Sequence, residues 1–168
     1  MIERFSKTAC LWLLLCSLSC AKYEDPPQDS TLAVSLTASS YEIVQGEALT
    51  VSIEVKNADS LFALSFVLNY SPAIFEMDTI IAGNLFSPTF LPSNPKFLSD
   101  GEAPAVLGEL GAIQQSANGT ACSIILTSEG IGTDLIYIRS LHMIKRDGSD
   151  IDGFNTLSVE AIEVNVVE

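Results

Sequence analysis

FALSFVLNYSPAIFEM, residues 62–77, reads as a strand, a tight turn and a second strand. The even positions Phe62, Leu64, Phe66, Leu68 and Tyr70 are large and apolar, the pattern of a row that faces a core. The odd positions Leu61, Ala63, Ser65, Val67 and Asn69 carry no charge. A strand with one wet face normally alternates apolar with polar residues. The uncharged odd row therefore has two explanations: it is a contact face for a partner, or another segment, such as the one after Gly83, covers it.

Outward from this stretch the period stays at two. Upstream, ALTVSIEVK (residues 48–56) puts Leu49, Val51, Ile53 and Val55 on one face and Thr50, Ser52, Glu54 and Lys56 on the other, after a turn centred on Gly46. Downstream, AIFEMDTII (73–81) aligns Phe75, Met77, Thr79 and Ile81. Further runs, AVLGELGAI (105–113), TACSIILTS (120–128), DLIYIRSLHMI (134–144) and TLSVEAIEVNVV (156–167), are separated by SANG, EGIGT and RDGSDIDGF. Short strands divided by Gly, Asn and Asp turns, with no long amphipathic helix, predict an all-β fold, a two-sheet antiparallel β-sandwich.

The chain ahead of the first strand has a different character. MIERFSKTACLWLLLCSLSC carries Arg4 and Lys7 in a short head, an apolar run from Ala9 to Leu18 and small residues before Cys20, the layout of an export signal. SLSC resembles the bacterial lipoprotein box, in which the cysteine is lipidated and becomes the new N-terminus; Ser17 stands where that box usually has Leu. The division expected is a signal over 1–19, a lipidated Cys20 with a proline-containing tether to residue 30, and one domain over 31–168, exported and anchored at the bacterial outer membrane or cell surface. An ordinary secretory cut near Ala21 is the alternative and would leave the domain soluble outside the cell. Of the four cysteines, Cys10 and Cys16 would depart with the signal and Cys20 would carry lipid. That leaves Cys122, which shares the parity of Ile124 and Leu126 and reads as a buried packing thiol.

Net charge narrows the partners. A formal charge of −13 at pH 7 and a pI near 4.2 disfavour nucleic acid and anionic lipid, which need clustered Lys and Arg. Membrane contact is expected only through the lipid.

Little in the sequence suggests catalysis, a cofactor or a metal. His142 is the only histidine, in a run whose alternation breaks near Ser140. Asp147, Asp150 and Asp152 fail the calcium-loop pattern, because the fifth position counted from Asp147 is Ile151 and from Asp150 is Phe154. A solvated hairpin turn is the reading preferred for them. Nothing singles out Glu102 and Glu109 as a glycosidase pair. The proline-rich segment after Gly83 holds Phe86, Phe90 and Phe97, which are expected to pack inward.

GEALTVSIEVKNADSLFALSFVLNYSPAIFEM resembles the N-terminal half of a cohesin domain: Gly46, Val51, Val55, Phe66, Tyr70, Pro72, Phe75, Glu76 and Met77 match its pattern in order and spacing. NGTACSIILTSEGIGTDLIYIRSLHMIKRDGSDI resembles the second half. The resemblance implies a jelly-roll sandwich of about nine strands, related to carbohydrate-binding modules, that is not a catalyst and receives dockerin modules. It also implies that the strand at 61–70 lies on the dockerin-facing sheet, making Leu61, Ala63, Ser65, Val67 and Asn69 the partner face. The chain departs from the family pattern at Ala63 and Ser65, where cohesins place Asn and Asp, and at Ser71, where their turn has Asp. Two other functions compete: a polysaccharide-binding module, for which Tyr41, Tyr70 and Tyr137 are the available rings because Trp12 lies in the signal, and a structural envelope lipoprotein.

Overall fold

The computed structural model describes residues 32–57, 61–86, 89–90, 101–109, 118–151 and 159–168. The signal, Cys20, the tether and Phe97 lie outside these, as do the side chains of Phe90 and Glu109.

The described residues form ten strands: β1 (Ala33–Ala38), β2 (Glu42–Val44), β3 (Ala48–Lys56), β4 (Leu61–Asn69), β5 (Phe75–Ala82), the two-residue β6 (Thr89–Phe90), β7 (Glu102–Glu109), β8 (Gly119–Ser128), β9 (Gly132–Lys145) and β10 (Ile162–Val167). One sheet has the order β1-β3-β8-β5 and the other β2-β10-β9-β4-β7-β6. Every pairing is antiparallel except that of β2 with β10. The all-β sandwich with about nine strands that the sequence pattern and the resemblance lead one to expect is the fold observed.

The alternating rows make the core. Leu49, Val51, Ile53 and Val55 of β3 are fully sealed against Leu64, Phe66 and Leu68 of β4, Ile124 and Leu126 of β8 and the inner residues of the other strands. Each such side chain contributes about 1.5–3 kcal/mol on leaving water. Cys122 is sealed in the same cluster, and burial pushes its thiol up to about 12. Leu85 and Phe86 also pack inward.

Bulges alter the faces that strict alternation assigns. On β4 the register against β9 slips between Leu61 and Ala63, so Leu61 turns into the core at 2% exposure while Phe62 emerges half-buried. The sequence expectation for these two residues is reversed: Leu61 does not belong to an open face, and Phe62 meets the Arg146 guanidinium 5.1 Å from its ring centroid. On β5 a slip between Met77 and Thr79 leaves Phe75 buried but turns Thr79 and Ile81 outward, with Ile80 packing on the core instead. On β9 the break foreseen near Ser140 is real: Ser140 has φ +58°, and three residues of β9 span two of β4. His142 consequently faces solvent. Finally, β7 begins at Glu102, not Ala105, because Pro104 lies along a part of β7 that β6 does not reach, where a missing N–H costs no ladder bond.

Candidate partner-binding face

Strand β4 sits between β9 and β7, so its outward side chains form the middle column of a three-strand surface. The registers give four rows: Ile144–Ala63–Gly108, His142–Ser65–Val106, Arg139–Val67–Pro104 and Tyr137–Asn69–Glu102. Of the residues expected to form the partner face, Ala63, Ser65 and Val67 lie here half-buried, flanked by the exposed Val106 and Tyr137. Leu61 is in the core, and Asn69 is in the row but only 8% exposed.

The middle column of this grid, Ala63, Ser65, Val67 and Asn69, is uncharged, as are Pro104, Val106 and Gly108 beside it on β7. The grid's charged and titratable groups stand on the flanking strands: Arg139, beside Val67, has Nη2 2.7 Å from Glu102 Oε1, and His142, beside Ser65, has Nε2 3.5 Å from Asp150 Oδ1. Both pairs are well exposed, so each is worth at most about 1 kcal/mol. Ser65 and His142 are cross-strand neighbours on this face, and the His142 ring is turned to Asp150. Cys122, the one thiol described, is buried and held protonated. A protein surface of this kind is cheap to desolvate and gains from apolar burial.

At the far end of β4 the surface dips into a depression lined by Asn69, Tyr70, Ser71, Pro72, Gly101, Glu102, Asp134, Leu135, Tyr137 and Arg139. Gly101 holds one wall with φ +84° and accepts the Tyr70 N–H on its carbonyl at 3.0 Å; a β-carbon there would stand 2.8 Å from the Tyr70 carbonyl oxygen. Asp134 caps the 71–74 turn, accepting the Ser71 N–H on Oδ2 at 2.7 Å. Alternation alone gives no hint of this feature, because it assembles from residues some thirty positions apart on three strands.

The acidic hairpin after β9 is closed on itself. Asp147 Oδ1 accepts the Ser149 hydroxyl at 2.6 Å and the Ser149 N–H at 2.9 Å, and these bonds, the hydroxyl first, hold its carboxyl below the ordinary value. This is turn chemistry.

The described residues thus form a mostly antiparallel two-sheet sandwich whose β9-β4-β7 face presents Val106, Tyr137, Arg139 and His142 to solvent. Comparison of the fold with solved structures finds cohesins. A non-cellulosomal cohesin from the archaeon Archaeoglobus fulgidus aligns with TM-score 0.64 at 15% identity, over 81% of this chain and 92% of that one. The cohesin module of a Clostridium perfringens family 33 glycoside hydrolase aligns with TM-score 0.63 at 13% identity, over 80% and 96%. The third cohesin of ScaC from Acetivibrio cellulolyticus, solved with the ScaB dockerin, aligns with TM-score 0.63 at 18% identity, over 80% and 99%. No protein-family model matches the sequence, and no curated protein does. The chain thus carries a cohesin-like domain by fold.

Proposed function

We propose that this protein is a non-catalytic receptor module that docks a dockerin-like protein on the outer face of β4, β7 and β9, and that a lipid on Cys20 holds it at the cell surface. The observation that carries the reading is the uncharged centre of that face, Val67, Pro104, Val106 and Ser65, beside the exposed Tyr137. Tyr and Arg at the edge of a desolvated apolar centre are the residue types that anchor protein interfaces. Support also comes from similar folds that have been solved in complex with dockerins. Ala63 and Ser65 replace the polar pair of the family pattern, so the partner is held more by apolar contact than by hydrogen bonds along β4.

The test is a binding screen of the purified protein against dockerin modules encoded by the same organism, with insoluble polysaccharides alongside. A dockerin that binds, and loses at least tenfold affinity to Ser65→Lys, is the expected outcome. Binding to a glycan and to no dockerin, through Tyr41 or Tyr137, overturns it. Anchoring is checked by mass spectrometry of the mature N-terminus, where a diacylglyceryl Cys20 is expected and Cys20→Ala abolishes membrane association.

A further inference from the structure

Among the described residues three polar side chains are buried: Asn69, Ser128 and Asp134. Ser128 is accounted for, its hydroxyl lying 3.0 Å from the carbonyl oxygens of both Val44 and Glu47. The other two line the depression at the end of β4. Asn69 Oδ1 is sealed from water with no hydrogen bond. Asp134 has the Ser71 N–H on Oδ2 and no cation within salt-bridge distance. Buried polar groups are nearly always satisfied, so an orphaned amide oxygen beside a buried carboxylate calls for a physical cause.

We propose that this depression is a subsite for a basic side chain, an arginine guanidinium or lysine ammonium, presented by the docked partner. The acceptors are the Asp134 carboxylate and, once its amide turns toward the depression it lines, Asn69 Oδ1. The apolar stem of such a side chain fits against Leu135 and Pro72, as long cationic side chains lie along apolar surface with the charge at the tip. Tyr137, 43% exposed, adds a ring face for the cation. Arg139 does not oppose entry, because Glu102 neutralises it at 2.7 Å. With Glu102 and Asp134 negative and Arg139 positive, the lining keeps one net negative charge, in a protein whose overall charge is −13. The inference rests on the docking reading only for the source of the basic side chain; the site itself is testable without any dockerin.

The experiment is an NMR titration of the ¹⁵N-labelled protein with N-acetyl-arginine N-methylamide and N-acetyl-lysine N-methylamide, and with the norleucine derivative as the uncharged control. The basic compounds are expected to shift the signals of Asn69, Ser71 and Tyr137 saturably in the millimolar range, and the control not to. Asp134→Asn keeps an acceptor for the Ser71 N–H but removes the charge, and should weaken the response at least fivefold. Tyr137→Ala, at an exposed position that the core does not need, should weaken it at least twofold. Equal shifts from norleucine, or no saturable shift from either cation, overturn the subsite. A positive titration with a failed dockerin screen keeps the subsite and removes the dockerin. A dockerin whose affinity ignores both variants, together with a null titration, keeps the docking face and removes the subsite.

Discussion

Replacing Asn69 with leucine should make this protein more stable. The two side chains have nearly the same branched shape, so the substitution fills the same space without a new cavity. In the native protein Asn69 is 8% exposed and its Oδ1 is sealed without a partner; rotating the amide would only seal the NH₂ group in its place. An unsatisfied buried polar group costs about 1–3 kcal/mol, and an apolar replacement of the same shape removes that cost. Part of the gain is offset because the exposed fraction of the leucine replaces a hydrated amide edge, which leaves an expected net gain of about 1–2 kcal/mol. The measurement is urea unfolding followed by circular dichroism: the midpoint should rise with an unchanged slope, and Tm should increase by roughly 3–8 °C. A loss of more than about 0.5 kcal/mol would refute the reasoning, since it would mean the amide is satisfied in the free protein. The same variant should bind the basic compounds at least fivefold more weakly, so that stability and binding move in opposite directions. Such opposition distinguishes a functional polar group from a structural one.

The remaining expectations concern the scaffold. Gly101→Ala forces a β-carbon to 2.8 Å from the Tyr70 carbonyl at φ +84° and should cost about 1–3 kcal/mol in thermal unfolding, disturbing the depression as well. Phe66→Ala empties a core position that is 2% exposed and should cost about 3–5 kcal/mol by the same assay. Ser65→Lys, half-buried on the outer face, should change stability by less than about 0.5 kcal/mol while weakening docking at least tenfold, which a stability scan beside the binding screen checks. Cys122 has a thiol raised from 9.0 to about 12 in the folded state, so the folded protein holds that proton more tightly than the unfolded chain does. Its contribution is therefore full below pH 9.0 and is lost as pH rises towards 12. In that window the wild type should lose stability relative to Cys122→Ala with a slope approaching 1.4 kcal/mol per pH unit. Iodoacetamide mapping at pH 8 should leave Cys122 unlabelled until the protein is unfolded.

What could be read in advance follows the reach of each physical signal. The core rows of β3, β8 and the second half of β4 were legible because side-chain direction in a strand reverses at every residue, and burial selects one parity. The bulges mark where this fails. Nothing local to Leu61 and Phe62 says that β9 will slip by one residue there; both are apolar, and either parity satisfies the alternation. Only cross-strand pairing with Lys145 and Ile144 decides it. Ser140 was the exception, since a polar residue interrupting Tyr137, Arg139 and His142 left a visible break in the pattern.

The depression was illegible for a related reason. Asn69 read as the last member of an uncharged row and became buried only because Tyr137 and Glu102 flank it in register. Asp134 read as the start of a strand and became a turn cap only because β9 brings it under Ser71. Each residue alone is unremarked in the sequence; the orphaned amide of Asn69 and the buried carboxylate of Asp134 come together only once three strands meet. The absence of polar residues at Ala63 and Ser65 then takes on a different meaning. If hydrogen bonding to a partner is concentrated at the end of β4 instead of along its middle, an apolar middle and an under-satisfied end are two parts of one docking surface. Charge reversal at the end should then abolish selectivity between partners, while Ser65→Lys weakens all of them at least tenfold. Measuring Asp134→Lys against several dockerins separates the two: a uniform loss of affinity, equal for partners with and without a basic side chain at the contact, would show that the end of β4 does not select.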